Sequence, residues 1–190
     1  MLAAVLEFLV STRRCTAFQF ATLRTYGRAP LLARGPIKQL LLERLMETRK
    51  RFHLSLAAYV LLDDHIHLLI RGSAEQECTA AMNDLRSGVQ RTWRKSLPNP
   101  VPDAPDALPF WEHGIEYHQA NSSEELRAFL EFIHYDPVRH GLVDRPSDYL
   151  WSSLPARIEQ GHYPEYWGIL GPPACIARVA RDCATSMCGG

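Results

Sequence analysis

Residues 54–72 read "LSLAAYVLLDDHIHLLIRG": two apolar runs, "LSLAAYVLL" and "HIHLLIRG", meeting at Asp63-Asp64. Runs of this length, rich in Leu, Ile, Val and Tyr and separated by an aspartate pair, fit two strands of a hairpin with a tight turn. Side chains of a strand alternate between faces, so His65 and His67 point the same way, about 7 Å apart along the backbone. Ile66, Leu68 and Ile70 then enter the opposite layer. Two imidazoles side by side suit a divalent metal or a phosphate, and an apolar reverse face gives such a site a rigid backing. Two half-exposed histidines without a ligand would show the same spacing.

Working outward, "AFQFATLRT" (17–25) alternates and is aromatic and β-branched, as a strand requires. After Pro36, which can open a helix, "IKQLLLERLMETRKRF" places Ile37, Leu40, Leu41, Leu45 and Phe52 on one face of an amphipathic helix. A second helix is predicted from about Ala74 to Lys95, with Met82, Leu85, Val89 and Trp93 inward and Arg86, Gln90, Arg91, Arg94 and Lys95 mostly outward. "SLPNPVPDAPDALP" (96–109) holds five prolines and reads as a surface loop. "FWEHGIEYHQA" (110–120) resembles a strand. "SSEEL" then supplies a serine N-cap and first-turn acids for a helix predicted over Ser123–Tyr135, which Pro137 should stop. The order strand, helix, strand, strand, helix, strand, helix predicts an α+β, split βαβ sheet with helices on one side.

The chain has 190 residues, 46% hydrophobic and 22% charged, which suits one globular domain. No apolar run approaches the roughly 18 residues of a membrane span. "MLAAVLEFLVSTRRC" lacks a basic leader and a small-residue cleavage site, so residues 1–16 read as an N-terminal extension. Five cysteines (Cys15, Cys78, Cys175, Cys183, Cys188) without a CxxC pair indicate neither a disulfide framework nor a zinc ribbon, and a reducing cytoplasm is the simple expectation. The net charge is zero, yet residues 1–60 carry ten Lys and Arg against three acids. That asymmetry is compatible with a phosphate-binding face, and equally with solvated arginine-bearing helices.

"EFIHYDPVRHGLV" (131–143) ends the last predicted helix. Positions four apart share a helix face, so Asp136 stacks below Phe132. An acid there could complete a His, His, carboxylate set of the kind Mg²⁺ or Mn²⁺ accepts; alternatively it caps backbone amides in a helix-ending turn.

The succession "LRTYGRAPLL", "AYVLLDDHIHLLI" and "FWEHGIEYHQANSSEELRAFLEFIHYDPVRHGLVDRPSDYLWSS" resembles the REP-associated tyrosine transposases, a branch of the HUH single-strand nucleases, over residues 17–154. The most specific parts are the His-hydrophobic-His strand and "HYDPVRHGLV…WSS", which echoes the family's "HYNPVKHGLV…WSS". The resemblance implies a ferredoxin-like antiparallel sheet with helices packed on it, the HUH nuclease core. It further implies that His65 and His67 hold a divalent cation that polarises a DNA phosphate, with Asp136 at the place of the third ligand. A helix tyrosine four residues before that ligand would attack phosphorus and form a 5′-phosphotyrosine.

Here the sequence departs from the pattern: the position holds Phe132, and phenylalanine has no hydroxyl. Tyr135 is the tyrosine nearby and the candidate nucleophile, although an aromatic residue at that place also packs in the family. Arg24, Arg28, Arg91, Arg94, Arg139 and His140 are candidates for DNA contact. Glu112 and His113 could line the site, and Tyr149, Trp151, Tyr163, Tyr166 and Trp167 either stack on bases or cover the core. Residues 155–190 read as a tail with a possible short helix. The expected function is metal-assisted cleavage and rejoining of single-stranded or hairpin REP-type DNA, by a monomer or homodimer away from membranes. The alternative is a silenced, domesticated DNA-binding protein. A metal-dependent small-molecule hydrolase would need a pocket and a general base that the sequence does not offer.

Overall fold

A computed structural model describes residues 17–95, 109–177 and 179–180. The N-terminal extension with Cys15, residues 96–108 of the proline-rich loop, and residues 181–190 with Cys183 and Cys188 lie outside the described residues. The elements run β1 (Gln19–Arg24), α1 (Gly35–Arg51), β2 (Ser55–Leu61), β3 (His65–Arg71), α2 (Glu75–Lys95), β4 (Glu116–Gln119), α3 (Ser123–Arg139) and α4 (Leu154–Glu159). The strands pair in the order β2-β3-β1-β4, each pair antiparallel. Each crossover, β1-α1-β2 and β3-α2-β4, therefore skips one strand. This is the interleaved split βαβ of a ferredoxin-like α+β fold.

The hairpin forms where the apolar runs place it, and β3 lies between β1 and β2. Its even-numbered residues Ile66, Leu68 and Ile70 are fully buried with Ala21 and Leu23 of β1, against Leu41 and Leu45 of α1 and Met82, Leu85 and Val89 of α2. The other face is apolar as well. Phe20, Ala58, Val60 and Leu69 pack with Phe129, Phe132 and Ile133 of α3. Helices were expected on one side only; α3 covers the second face, because an aromatic and aliphatic surface on both sides of the sheet cannot be left to water.

Two local features also differ from the sequence reading. The segment 110–120 is not one strand: Trp111 bridges Thr25, the chain turns at Gly114 with φ +83°, and pairing resumes at Glu116. Helix α3 does not stop at Tyr135 but continues through Pro137 to Arg139. A proline there removes only one backbone donor close to the C-terminus, and the turn still closes through His140 N–H to Asp136 O (3.0 Å) and Leu142 N–H to Pro137 O (2.9 Å). Gly141 (φ +65°) then takes the left-handed conformation that commonly ends a helix. At the other end, Ser122 Oγ accepts from Glu125 N–H (3.1 Å), as an N-cap should.

The "WSS" segment closes the sheet. Leu61 N–H donates to Trp151 O (2.9 Å) and Ser153 N–H to Tyr59 O (3.0 Å), so residues 151–153 occupy the outer edge of β2 and shield it from further pairing. Tyr149 Oη donates to Leu61 O (2.7 Å) and receives the buried Lys38 ammonium (2.9 Å), which also binds Asp63 (2.6 Å) at the hairpin turn. Ile176 and Val179 add to the core beside α3 and the buried Tyr163 packs edge-on to His134, whereas Tyr166 is exposed.

Ser153 also ties this edge to α3, its Oγ lying 2.8 Å from Nε2 of the fully buried His134. Burial, assisted by the Arg157 charge, pushes the His134 imidazole down to about 3. The folded state therefore holds His134 neutral while the unfolded chain takes up a proton near pH 6.5, so this stability is present above about pH 6.5 and is lost as pH falls toward 3. Between pH 7 and pH 5 the contribution falls by about 2 kcal/mol. Urea unfolding at the two pH values should show this loss, and His134→Gln, which keeps a nitrogen for Ser153 but does not titrate, should lower the dependence by that amount.

Candidate functional site

The constraint on β3 that buries Ile66 and Leu68 turns His65 and His67 together toward α3. Each ring is fixed by its inner nitrogen. His65 Nδ1 lies 2.6 Å from Asp64 Oδ1, and Asp64 is in turn paired with Arg28 Nε at 2.9 Å. His67 Nδ1 lies 2.9 Å from Oγ1 of Thr22, the residue directly opposite it on β1. Phe20 stacks on the His67 ring at 5.0 Å between centroids. These contacts leave both Nε2 atoms directed at one point, and carboxylate or hydroxyl partners of this kind orient and strengthen imidazole ligands.

That point is Asp136, fully buried on the last turn of α3. Its Oδ2 is 3.3 Å from His67 Nε2 and 3.7 Å from His65 Nε2, while Oδ1 accepts from Arg139. Oδ2 itself is a buried oxygen without a hydrogen-bond partner, and a carboxylate oxygen left so in an interior is costly. The N···O separations are longer than the roughly 2.9 Å of a good hydrogen bond. They are close to the ~3.0–3.4 Å between donors arranged around one ion with bonds of ~2.1 Å. A divalent cation could be accepted between Asp136 Oδ2 and the two histidines, and the donor atoms that, among the described residues, all lie within 4.8 Å of one another are those of His65, Asp136 and His140.

Charge agrees with this chemistry. Burial alone would raise the Asp136 carboxyl, but the proximity and charge of His65 and His67 outweigh it and hold the group far below the usual carboxylate range. Burial presses His67 down to about 4 against the pull of Asp136, leaving a neutral ring ready to donate a lone pair. His65 is also opposed by burial, yet Asp136 and Asp64 raise it.

Phe132 stands at the histidines. Its ring meets that of His67 edge-on at 5.6 Å, and the Arg139 guanidinium lies over its other side at 4.5 Å. Tyr135 packs in a different direction, against Trp167 (6.4 Å between rings) and Gly168, where a Cβ would come within 3.3 Å of its ring. His140, singled out from the sequence for DNA contact, lies beside the metal candidates: its Nε2 is 3.8 Å from Asp136 Oδ1 and its ring 5.1 Å from that of His65. The signal for it was present, since His140 follows Asp136 by one helical turn.

The arginines separate into kinds. Both Nη groups of Arg24 are committed to Glu116 (2.6 and 2.8 Å) in a side chain only 11% exposed. Arg28 is exposed while bracing Asp64. Arg91 and Arg94 line an open groove of about 470 Å³ with Arg86, Gln90 and Trp111. Glu112 serves through its backbone, its N–H donating to Arg24 O and its carbonyl accepting from Arg86.

The family model described as "Transposase IS200 like" matches residues 20–135, more than half of the chain and all of the sheet but the first residue of β1. The chain belongs to the IS200-like transposase family. A Haemophilus influenzae protein bearing the name REP-associated tyrosine transposase is 26% identical over 129 residues, 64% of this chain and 71% of that one. The REP-associated tyrosine transposase of Escherichia coli K12 is 21% identical over 136 residues, 68% of this chain and 72% of the relative. A solved REP-associated tyrosine transposase bound to a REP hairpin superimposes with a TM-score of 0.67 at 19% identity, over 83% of this chain and 90% of the other. At that identity the likeness shows the fold. Among the described residues, no helix of this transposase-family chain is long and apolar enough to cross a membrane.

Thr22, 2% exposed, is a sensitive probe of the centre because its hydroxyl meets His67 Nδ1. Thr22→Val should leave the melting temperature within a few degrees and weaken Mn²⁺ binding by about 10–100-fold, measured by titration calorimetry.

Proposed function

We propose that this protein binds hairpin or single-stranded REP-type DNA over a divalent-metal centre of His65, His67 and Asp136, and has lost strand cleavage through a tyrosine. The observation that carries the reading is Phe132: the side chain against His67 has no hydroxyl. A divalent cation bound there would polarise a phosphate oxygen of the strand. The chain's own residues do the rest. His65 and His67 are held in orientation by Asp64 and Thr22, Asp136 supplies the negative charge, and Arg139 neutralises its outer oxygen while covering the Phe132 ring. Attack on phosphorus needs an oxygen in near-contact range of the phosphate. Tyr135, the alternative nucleophile, has its ring against Trp167 and Gly168, which supports a packing role for it.

For the nucleic acid itself, Arg91 and Arg94 offer phosphate contacts along their groove, and Arg28 and Arg139 offer further positive charge near the histidines. Such contacts are sequence-independent and salt-sensitive. The hairpin in the solved relative supports the choice of substrate.

A labelled REP hairpin incubated with the protein and Mn²⁺ at a stated ionic strength should shift in a native gel and give no covalent adduct. Phe132→Tyr should restore a denaturation-resistant adduct. An adduct in the unaltered protein that disappears in Tyr135→Phe would overturn the silenced reading in favour of cleavage through Tyr135. Removal of Arg91 or Arg94 should reduce the slope of log affinity against log salt by about one each, and absence of any shift at low salt would remove the DNA-binding function altogether.

A further inference from the structure

We infer that His140 is a further ligand of the metal centre, so that the site presents three imidazoles and one carboxylate and selects a transition-series divalent ion over Mg²⁺. The inference rests on the metal reading of His65, His67 and Asp136 and changes its chemistry. Among the described residues, His65, Asp136 and His140 each offer a donor atom such that all three lie within 4.8 Å of one another. The helix enforces this: His140 stands four residues after Asp136, its N–H still bonded to Asp136 O at 3.0 Å, so its ring is delivered to the same face. The two carboxylate oxygens divide the histidines between them, with His65 and His67 near Oδ2 and His140 near Oδ1 at 3.8 Å.

His140 also differs from the inner pair in exposure. Its side chain is 38% exposed, against 4% for His65 and 6% for His67. It therefore stands at the mouth of the centre, on the side from which a ligand would enter. Imidazole nitrogen suits Mn²⁺, Co²⁺ and Zn²⁺ better than Mg²⁺, which prefers oxygen and keeps its water. A site with three nitrogen donors thus takes an ion from the transition series.

The test is metal titration of the full chain. Co²⁺ binding, followed by its visible absorption, and Mn²⁺ and Mg²⁺ binding, followed by calorimetry, are compared for the unaltered protein, His140→Ala and His65→Ala. The expected result is Co²⁺ and Mn²⁺ affinity at least ten-fold above that for Mg²⁺, a fall of ten-fold or more in Co²⁺ affinity in His140→Ala with an altered absorption spectrum, and little change for Mg²⁺. Because His140 is partly exposed at the helix end, the variant should keep its fold, which circular dichroism would verify; His140→Asn serves as a second variant. Equal Co²⁺ affinity and an unchanged spectrum in both His140 variants, with binding abolished in His65→Ala, would overturn the inference and leave the underlying metal reading standing. No metal binding by the unaltered protein would overturn both. Loss of hairpin binding in His140→Ala with metal binding unchanged would return His140 to the role of a DNA contact.

Discussion

Strand β3 is buried on both faces, and everything at the site follows from how its side chains divide. Ile66, Leu68 and Ile70 are fixed in the layer under α1 and α2 by the area they remove from water, and a one-residue slip would exchange them for the histidines. Burying an aliphatic side chain of this size is worth about 1.5–3 kcal/mol, so the register is held by several such terms at once. The two imidazoles are consequently set on the opposite face without any interaction of their own having to pay for it.

That opposite face carries a conflict. Phe20, Leu69 and Val60 require an apolar cover, which α3 supplies with Phe129, Phe132 and Ile133, yet the same helix brings Asp136 into a buried position. A buried carboxylate is tolerable only with compensation. Arg139 satisfies one oxygen from the same helix, and the unpartnered Oδ2 opposite two imidazoles leaves room for a cation to compensate it. The centre is thus a by-product of packing only in its placement. Its polarity is maintained against the packing.

A phenylalanine at residue 132 fits the same balance. Phe132 is 2% exposed and lies between Phe20, His67 and Arg139, so an apolar ring there satisfies the core. The motif block "HYDPVRHGLV…WSS" acquires a structural meaning as well. His134 bonds to Ser153, the "WSS" backbone closes the edge of β2, and Asp136 and His140 reach the histidines, so the end of one helix serves both the sheet's integrity and the histidine pair.

The sequence by itself determined the hairpin, the amphipathic helices, the shared direction of His65 and His67, and the absence of a hydroxyl at residue 132, because each depends on local periodicity or on chemical identity. Only the tertiary structure decided that α3 crosses to the second face, since the amphipathicity of a helix says which side is buried and not which layer buries it. It also decided that α3 runs past Pro137, because packing of Phe132 and Ile133 outweighs one lost hydrogen bond. Arg24 looked like a phosphate contact until β4 brought Glu116 to it from 92 residues away, a pairing that no local pattern encodes. His140 was visible one turn beyond Asp136, but whether it faces DNA or the histidines depends on how the end of α3 meets the start of β3, and long-range packing alone fixes that.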